Sequence, residues 1–260
     1  MKLNNTMFPV NKSVFVLTLA LHANGTSSYR DAGAISTFAS SLWGASGVIL
    51  TDEPDQLQAI SPHTRVVHVT SKESLLAAVG GIIATIKPGV DVLFTISSHG
   101  YSMVLPERCP FELNKRTEYL SLAGEKIMDF ELFNALYDHM HADIKSLCLI
   151  DTCHSGTMLD LEHLSRDGDQ FLRTHTQLCA TPRPFSVCIS ACADNENAGE
   201  DIGRISGWGG KLTCYFLDFL QDNKPEWAFN VCSFYKKIHG VFTHQTAQRT
   251  HPLISFNGNP

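Results

Sequence analysis

A thiol and an imidazole stand at the ends of two apolar runs. Leu147–Thr157 reads LCLIDTCHSGT and delivers Cys153, while Phe94–Gly100 reads FTISSHG and delivers His99. Each run breaks abruptly from apolar to small and polar residues, as a buried strand does where it leaves the core. The thiolate is the reactive form of cysteine, and an imidazole within reach supplies it at neutral pH by taking the proton. Cys153 and His99 therefore read as a nucleophile and its general base, the two parts of a covalent acyl-transfer site.

A cysteine by itself is ordinarily a small buried hydrophobe. The neighbours of Cys153 are different in kind: Asp151, His154, Ser155 and Gly156 are polar or small, and Gly156 lets the backbone turn sharply or approach a substrate. Ser97, Ser98 and Gly100 give His99 the same setting. His154 is nearer to Cys153 in sequence, but successive residues leaving a strand point to opposite sides, so it is assigned a structural role. His139 and His141 lie beside Asp138 and Asp143 and read as a solvated helix end rather than metal ligands. The eight cysteines show no CxxC pair, which argues against zinc and for free thiols in a reducing, cytoplasmic setting.

The elements that must carry these residues alternate along the chain. Strand-like runs fall at Ser13–Leu21, Gly47–Leu50, Val90–Ser97, Ser146–Ile150, Phe185–Ala191 and Pro252–Phe256, with a weaker one at Val66–Thr70. Helical periodicity joins Ala34, Ile35, Phe38, Ala39 and Leu42; then Leu75 to Ile86, opened by a Thr70-x-x-Glu73 capping box; then Leu132 to Met140. Lys211–Gln221 and Asn230–Phe242 read as two more helices. The alternation predicts an α/β fold: a mostly parallel six-stranded sheet flanked by helices on both faces. Tyr101–Lys126, Thr157–Pro184 and Asp194–Gly210 read as long irregular stretches. Two of them follow His99 and Cys153, where loops at the carboxyl ends of parallel strands build the crevice of open α/β sheets.

Composition narrows the partners. A formal net charge of -6 and a pI near 6.0 give no reason to expect nucleic acid or an anionic membrane. Val14–Ala23 could pass for the apolar centre of a secretory signal, but Thr18 and His22 interrupt it and it serves better as a first core strand. No run reaches the roughly 18 residues needed to span a bilayer. Neither GxGxxG nor GxxxxGK[ST] occurs, which argues against a nucleotide-binding module.

His-Gly followed by Asp-x-Cys-His-Ser-Gly resembles the metacaspases, caspase-like cysteine peptidases, and the resemblance runs over almost the whole chain. His99 precedes Cys153 by 54 residues, close to the roughly 50-residue interval of caspases. The resemblance implies a single caspase–haemoglobinase domain over residues 1–260: a large-subunit-like part (1–156), a connecting loop (157–184) and a small-subunit-like part (185–260). It implies His99 as base, Cys153 as nucleophile, and the backbone N–H groups of Gly100 and Cys153 facing the oxyanion. It implies cleavage after Arg or Lys, with Asp31 and Asp151 as pocket carboxylates and Ser97 and Ser28 on the wall. Without the family, Asp31 reads as a charge at a helix N-terminus and Asp151 as a capping acceptor. The expected partners are peptides or proteins with basic residues at the cleaved bond, and the expected state is a monomer.

Two departures from the family pattern matter. Calcium as an activator would be held by acidic residues including Asp129 and Asp160, with Asn114 or Glu112 near a third position. The usual Asp-Asp pair here reads Asp129-Phe130, so the site is weakened for an ion that takes six to eight oxygens. The usual Ser-Gly-His-Gly reads Ser97-Ser98-His99-Gly100. Arg166, Arg173 and Arg183, in the loop after the nucleophile, would be points of self-cleavage. The alternative readings are an inactive caspase-like binding protein and, within the same broad fold, a legumain-like or gingipain-like peptidase.

Overall fold

Val90–Ser97 and Ser146–Asp151 are apolar almost throughout because both of their faces are covered. In the computed structural model they become the two central strands. The structure describes residues 6–9, 13–21, 27–105, 116–159, 161–168, 170, 172–173, 184–223, 228–244 and 250–257. Its first half runs β1 (Met7–Phe8), β2 (Ser13–Ala20), α1 (Ser27–Trp43), β3 (Ser46–Thr51), β4 (Thr64–His68), α2 (Lys72–Ala84), β5 (Val90–Ser97), β6 (Gly100–Val104), β7 (Arg116–Leu122), β8 (Glu125–Met128), α3 (Asp129–Tyr137) and β9 (Ser146–Asp151). The second half runs β10 (His163–Ser165), β11 (Leu172–Arg173), β12 (Ser186–Ser190), β13 (Glu200–Gly203), β14 (Gly207–Gly210), α4 (Lys211–Asn223), β15 (Phe229–Asn230), α5 (Val231–His244) and β16 (Leu253–Asn257).

The main sheet has nine strands in the order β11-β10-β16-β12-β9-β5-β2-β3-β4. Six of them, β12 through β4, are parallel; β16 runs antiparallel to β12, and β10 and β11 extend that edge as antiparallel strands. The expected six strands are thus too few. The weak Val66–Thr70 run is a true edge strand, shifted to Thr64–His68, and two short strands form within the stretch read as a connecting loop. Edge strands need only one neighbour and one covered face, so their apolar signal is faint.

Period-two alternation assigns each face its helices. Leu93, Leu147 and Leu149 pack with Ile35 and Ala39 of α1, Phe216 and Leu220 of α4, and Phe234 and Ile238 of α5. Val92, Phe94, Ile96 and Ile150 pack with Leu75, Val79 and Ile83 of α2 and Leu132 and Leu136 of α3. The capping box of α2 sits one residue later than expected. Ser71 Oγ accepts from Ser74 N–H at 3.2 Å, and Ser74 Oγ accepts from Ser71 N–H at 3.0 Å.

In two stretches read as irregular the described residues form ribbons. β6, β7 and β8 form an antiparallel sheet, turned between β7 and β8 by Ala123 and Gly124 at φ +50° and +82°, the signature of a two-residue hairpin turn. β13 and β14 form a second hairpin over the C-terminal end of the main sheet.

Candidate active site

The ladder between β5 and β9 ends at the pair Ser97 and Asp151. Two residues past that rung each strand delivers a reactive side chain: His99 from β5 and Cys153 from β9. Adjacent strands lie about 4.8 Å apart, and the chains stay packed beyond the ladder. A Cβ on Gly100 would collide with the Cys153 carbonyl and come within 2.7 Å of Thr152 Oγ1, so only glycine fits there. The His99 ring is exposed, its centroid 6.4 Å from Tyr101, which stacks on Tyr119 at 5.2 Å. Cys153 is half-buried. Burial, with the charge of Asp151, pushes its thiol up from the ordinary cysteine range, while the N–H groups of Ala198 and of Cys153 itself pull the other way. The resting group is a thiol, so its chemistry requires a base.

The turn that carries Cys153 is clasped by the segment after β12. His154, at φ +53°, donates its N–H to the Glu196 carbonyl at 3.0 Å and sets Nδ1 2.6 Å from the Asp194 carbonyl. This tie to Asp194, in a turn past the strand end, replaces strand alternation as the reason for its structural role. A Cβ on Gly156 would lie 2.7 Å from Asp194 Oδ1 and 2.6 Å from Leu253 Cδ1. Thr157 donates its N–H to Asp194 Oδ1 at 2.8 Å. Glu196 accepts from the N–H groups of Ala193 at 3.2 Å and His251 at 2.8 Å, and also pairs with the His251 ring. Burial tends to raise the Glu196 carboxyl, but these donors bring it below the usual carboxylate range.

Asp31 and Asp151, 120 positions apart in sequence, converge under the β13–β14 hairpin. Asp31 lies in the second turn of α1 rather than at its N-terminus and is fully buried. Its Oδ2 accepts from Ser97 Oγ at 2.7 Å and Gly210 N–H at 3.0 Å. Its Oδ1 is buried and has no hydrogen-bond partner among the described residues. Asp151 accepts from Thr213 N–H at 2.8 Å and so caps the first turn of α4. Burial, and then the Asp151 charge, raise the Asp31 carboxyl well above the usual range; burial raises Asp151 to about 6. A Cβ on Gly209 would strike Asp31 Oδ1, and one on Gly210 would sit 2.6 Å from Asp151 Cγ and 3.0 Å from Asp31 Oδ2. Gly209 and Gly210 therefore let backbone close directly over two carboxylates. Ser28 is buried one turn before Asp31 on the same helix face. The nearby cation Lys211 sets its ammonium 4.1 Å from the Phe242 ring centroid.

Two buried carboxylates with an unpaired oxygen between them are costly unless a cation joins them. A guanidinium or ammonium would relieve both, and the Ser97 hydroxyl already orients one of the acids. Among the described residues, sequence reasoning missed Ala198, Gly209, Gly210, Asp194 and the Glu196–His251 pair. Apart from His251, their only sequence signal was a polar, glycine-rich run, DNENAGEDIGRISGWGG, following an apolar strand.

The expected calcium ligands fare differently. Asp129 Oδ1 accepts from Thr117 Oγ1 at 2.9 Å and Phe130 N–H at 2.7 Å, and Oδ2 accepts from Glu118 N–H at 3.0 Å. Burial raises its carboxyl to about 6. Asp160, Asn114 and Glu112 lie outside the described residues, as does Arg183. Among the described residues, no three His, Cys, Asp or Glu side chains are grouped to hold a metal ion, so those residues do not by themselves fit calcium. Nor is any helix among them long and apolar enough to cross a membrane.

No family model matches the chain. It is 23% identical to metacaspase-5 of Trypanosoma cruzi over 155 residues, 55% of this chain and 34% of that protein. It is 23% identical to metacaspase-2 of Arabidopsis thaliana over 163 residues, 58% of this chain and 38% of that protein. The chain thus spans little more than a third of the length of the curated relatives it matches. A protein from Geobacter sulfurreducens with a solved crystal structure shares the fold at a TM-score of 0.62 and 16% identity, with 95% of this chain and 94% of that one covered. The two metacaspase likenesses suggest a caspase-like family, and the α/β architecture with its mostly parallel sheet fits a caspase-like fold.

Proposed function

We propose that this chain is a cysteine endopeptidase that cleaves after Arg or Lys, acting as a cytoplasmic monomer on peptide or protein chains. The observation that carries the reading is the shared end of β5 and β9, where an imidazole and a thiol emerge level with each other beside two buried carboxylates. His99 takes the Cys153 proton, and the thiolate attacks the carbonyl carbon of the scissile bond. The oxyanion so formed faces the N–H groups of Gly100 and Cys153. His99 then returns the proton to the departing amine, leaving the acyl group as a thioester on Sγ. Water, deprotonated by His99, attacks the thioester and regenerates the thiol. Asp31 and Asp151 hold the substrate's cation before the cleaved bond, with Ser97 and Ser28 on the pocket wall.

An inactive binding protein is the rival reading, and intact His99 and Cys153 speak against it. The test is hydrolysis of peptides carrying Arg, Lys, Asp or Asn before the bond by wild type, Cys153→Ala and His99→Ala, with and without calcium. Intact mass is recorded throughout. Turnover of Arg and Lys peptides alone, lost by about three decades or more in each variant, is expected of two groups that act as a unit. Wild-type turnover by Cys153→Ala, or cleavage after Asp alone, overturns the reading. Fragments ending at Arg166 or Arg173 in wild type only would identify self-cleavage, and a calcium-dependent rate would identify an activating ion.

A further inference from the structure

A cavity of about 420 Å³ opens on the side of His99 away from Cys153, and the catalytic imidazole forms part of its wall. The sheet order explains its place. From Cys153 at the end of β9, the next carboxyl ends are β5 with His99, then β2, then β3 and β4. Asp52 and Glu53 follow directly on β3, and His68 ends β4; all three line the cavity, together with Tyr101 and the hairpin turn at 121–124. No residue of the Cys153 turn (151–157) or of the β13–β14 hairpin lines it.

Acyl-transfer chemistry assigns the two sides of His99 to two halves of a substrate. The acyl half stays on Cys153 Sγ, beside Asp151 and the Gly209–Gly210 backbone. The amine half takes its proton from His99 and must lie toward it. Two strand spacings separate β5 from β3, roughly 10 Å, which is about three extended residues. The Asp52 and Glu53 carboxyl groups line this space, and Tyr29 Oη donates to Asp52 Oδ1 at 3.2 Å. The Tyr101 ring, 41% exposed, adds an aromatic face of the kind that attracts a cation.

We propose that this cavity binds a basic side chain within the first three residues after the scissile bond, so that the enzyme selects positive charge on both sides of the bond it cuts. The inference rests on the peptidase reading, and its test has an arm that needs no turnover. In the first arm, peptides with Arg before the bond carry Lys, Ala or Glu at one of the next three positions. Wild type should prefer Lys over Glu by about tenfold or more in kcat/KM at one of them, the scale of placing unlike rather than like charges together. In the doubly substituted Asp52→Asn, Glu53→Gln protein that ratio should fall toward one. In the second arm, calorimetry compares Lys-Lys amide with Glu-Glu amide on Cys153→Ala protein, with and without the same two substitutions. A Lys preference that disappears with the carboxylates supports the pocket. Vigorous cleavage with equal ratios in wild type overturns the pocket and leaves the peptidase standing. No cleavage, with Lys-Lys amide binding still dependent on Asp52 and Glu53, overturns the peptidase and leaves the pocket standing. Equal affinity for the two amides overturns the pocket.

Discussion

On the proposed peptidase reading, replacing Asp151 by Asn should weaken turnover and strengthen the fold. Burial raises this carboxyl to about 6, against about 3.9 for an ordinary aspartate, and each pH unit of that gap is worth about 1.4 kcal/mol. Holding the group ionised in the folded chain therefore costs about 3 kcal/mol at neutral pH. Asparagine removes that cost and still offers an oxygen to the Thr213 N–H that Asp151 now accepts. The folded carboxyl binds its proton more tightly than the unfolded one. Its penalty is thus absent below about pH 4, grows as pH rises toward 6, and is complete above. At pH 7.5 the variant should melt about 6–12 °C higher than wild type, on the scale of about 2–4 °C per kcal/mol for a chain of this size. At pH 4 the two should melt together. Activity should move the opposite way. Losing one partner of a buried charge pair costs about 2–5 kcal/mol, or about 30- to 5000-fold in kcat/KM for an Arg peptide. Circular dichroism melts at both pH values and steady-state kinetics at pH 7.5 read the two halves. A lower melting temperature at pH 7.5 would mean that Asp151 is there as a helix cap, and undiminished kcat/KM would remove it from the pocket.

Gly100→Ala drives a Cβ into the Cys153 carbonyl; it should cost about 1–3 kcal/mol of stability as an overpacked contact and, by displacing the nucleophile, about a hundredfold in kcat. Equal, small losses in both would show that the two strand ends tolerate separation. Glu196→Gln loosens the clasp from His251 to the turn that carries Ala198, so the pH at which iodoacetamide alkylates Cys153 should rise and kcat should fall. An unchanged alkylation profile would mean that the Ala198 N–H reaches the thiol without Glu196.

Local apolar patterning determined where the reactive residues emerge. Val90–Ser97 has the same bounds in sequence and structure, and Ser146–Ile150 gains one residue. A run buried on both faces is apolar throughout, and its end is marked by the change to Ser, Asp and Gly. His99 and Cys153 were legible for that reason. The helices packed on those strands were legible too, because a 3.6-residue apolar stripe records burial against a neighbour without naming it. The short strands β10 and β11 and the ribbons β6–β8 and β13–β14 were not, since a strand covered on one side, or only two to four residues long, leaves little periodicity to read. Above all, the sequence holds no local trace of the meeting of Asp31, Asp151 and the Gly209–Gly210 backbone. That contact depends on the order of strands in the sheet and on a hairpin folding back across it, and a glycine required by a carboxylate 179 residues away looks, in sequence, like any other glycine.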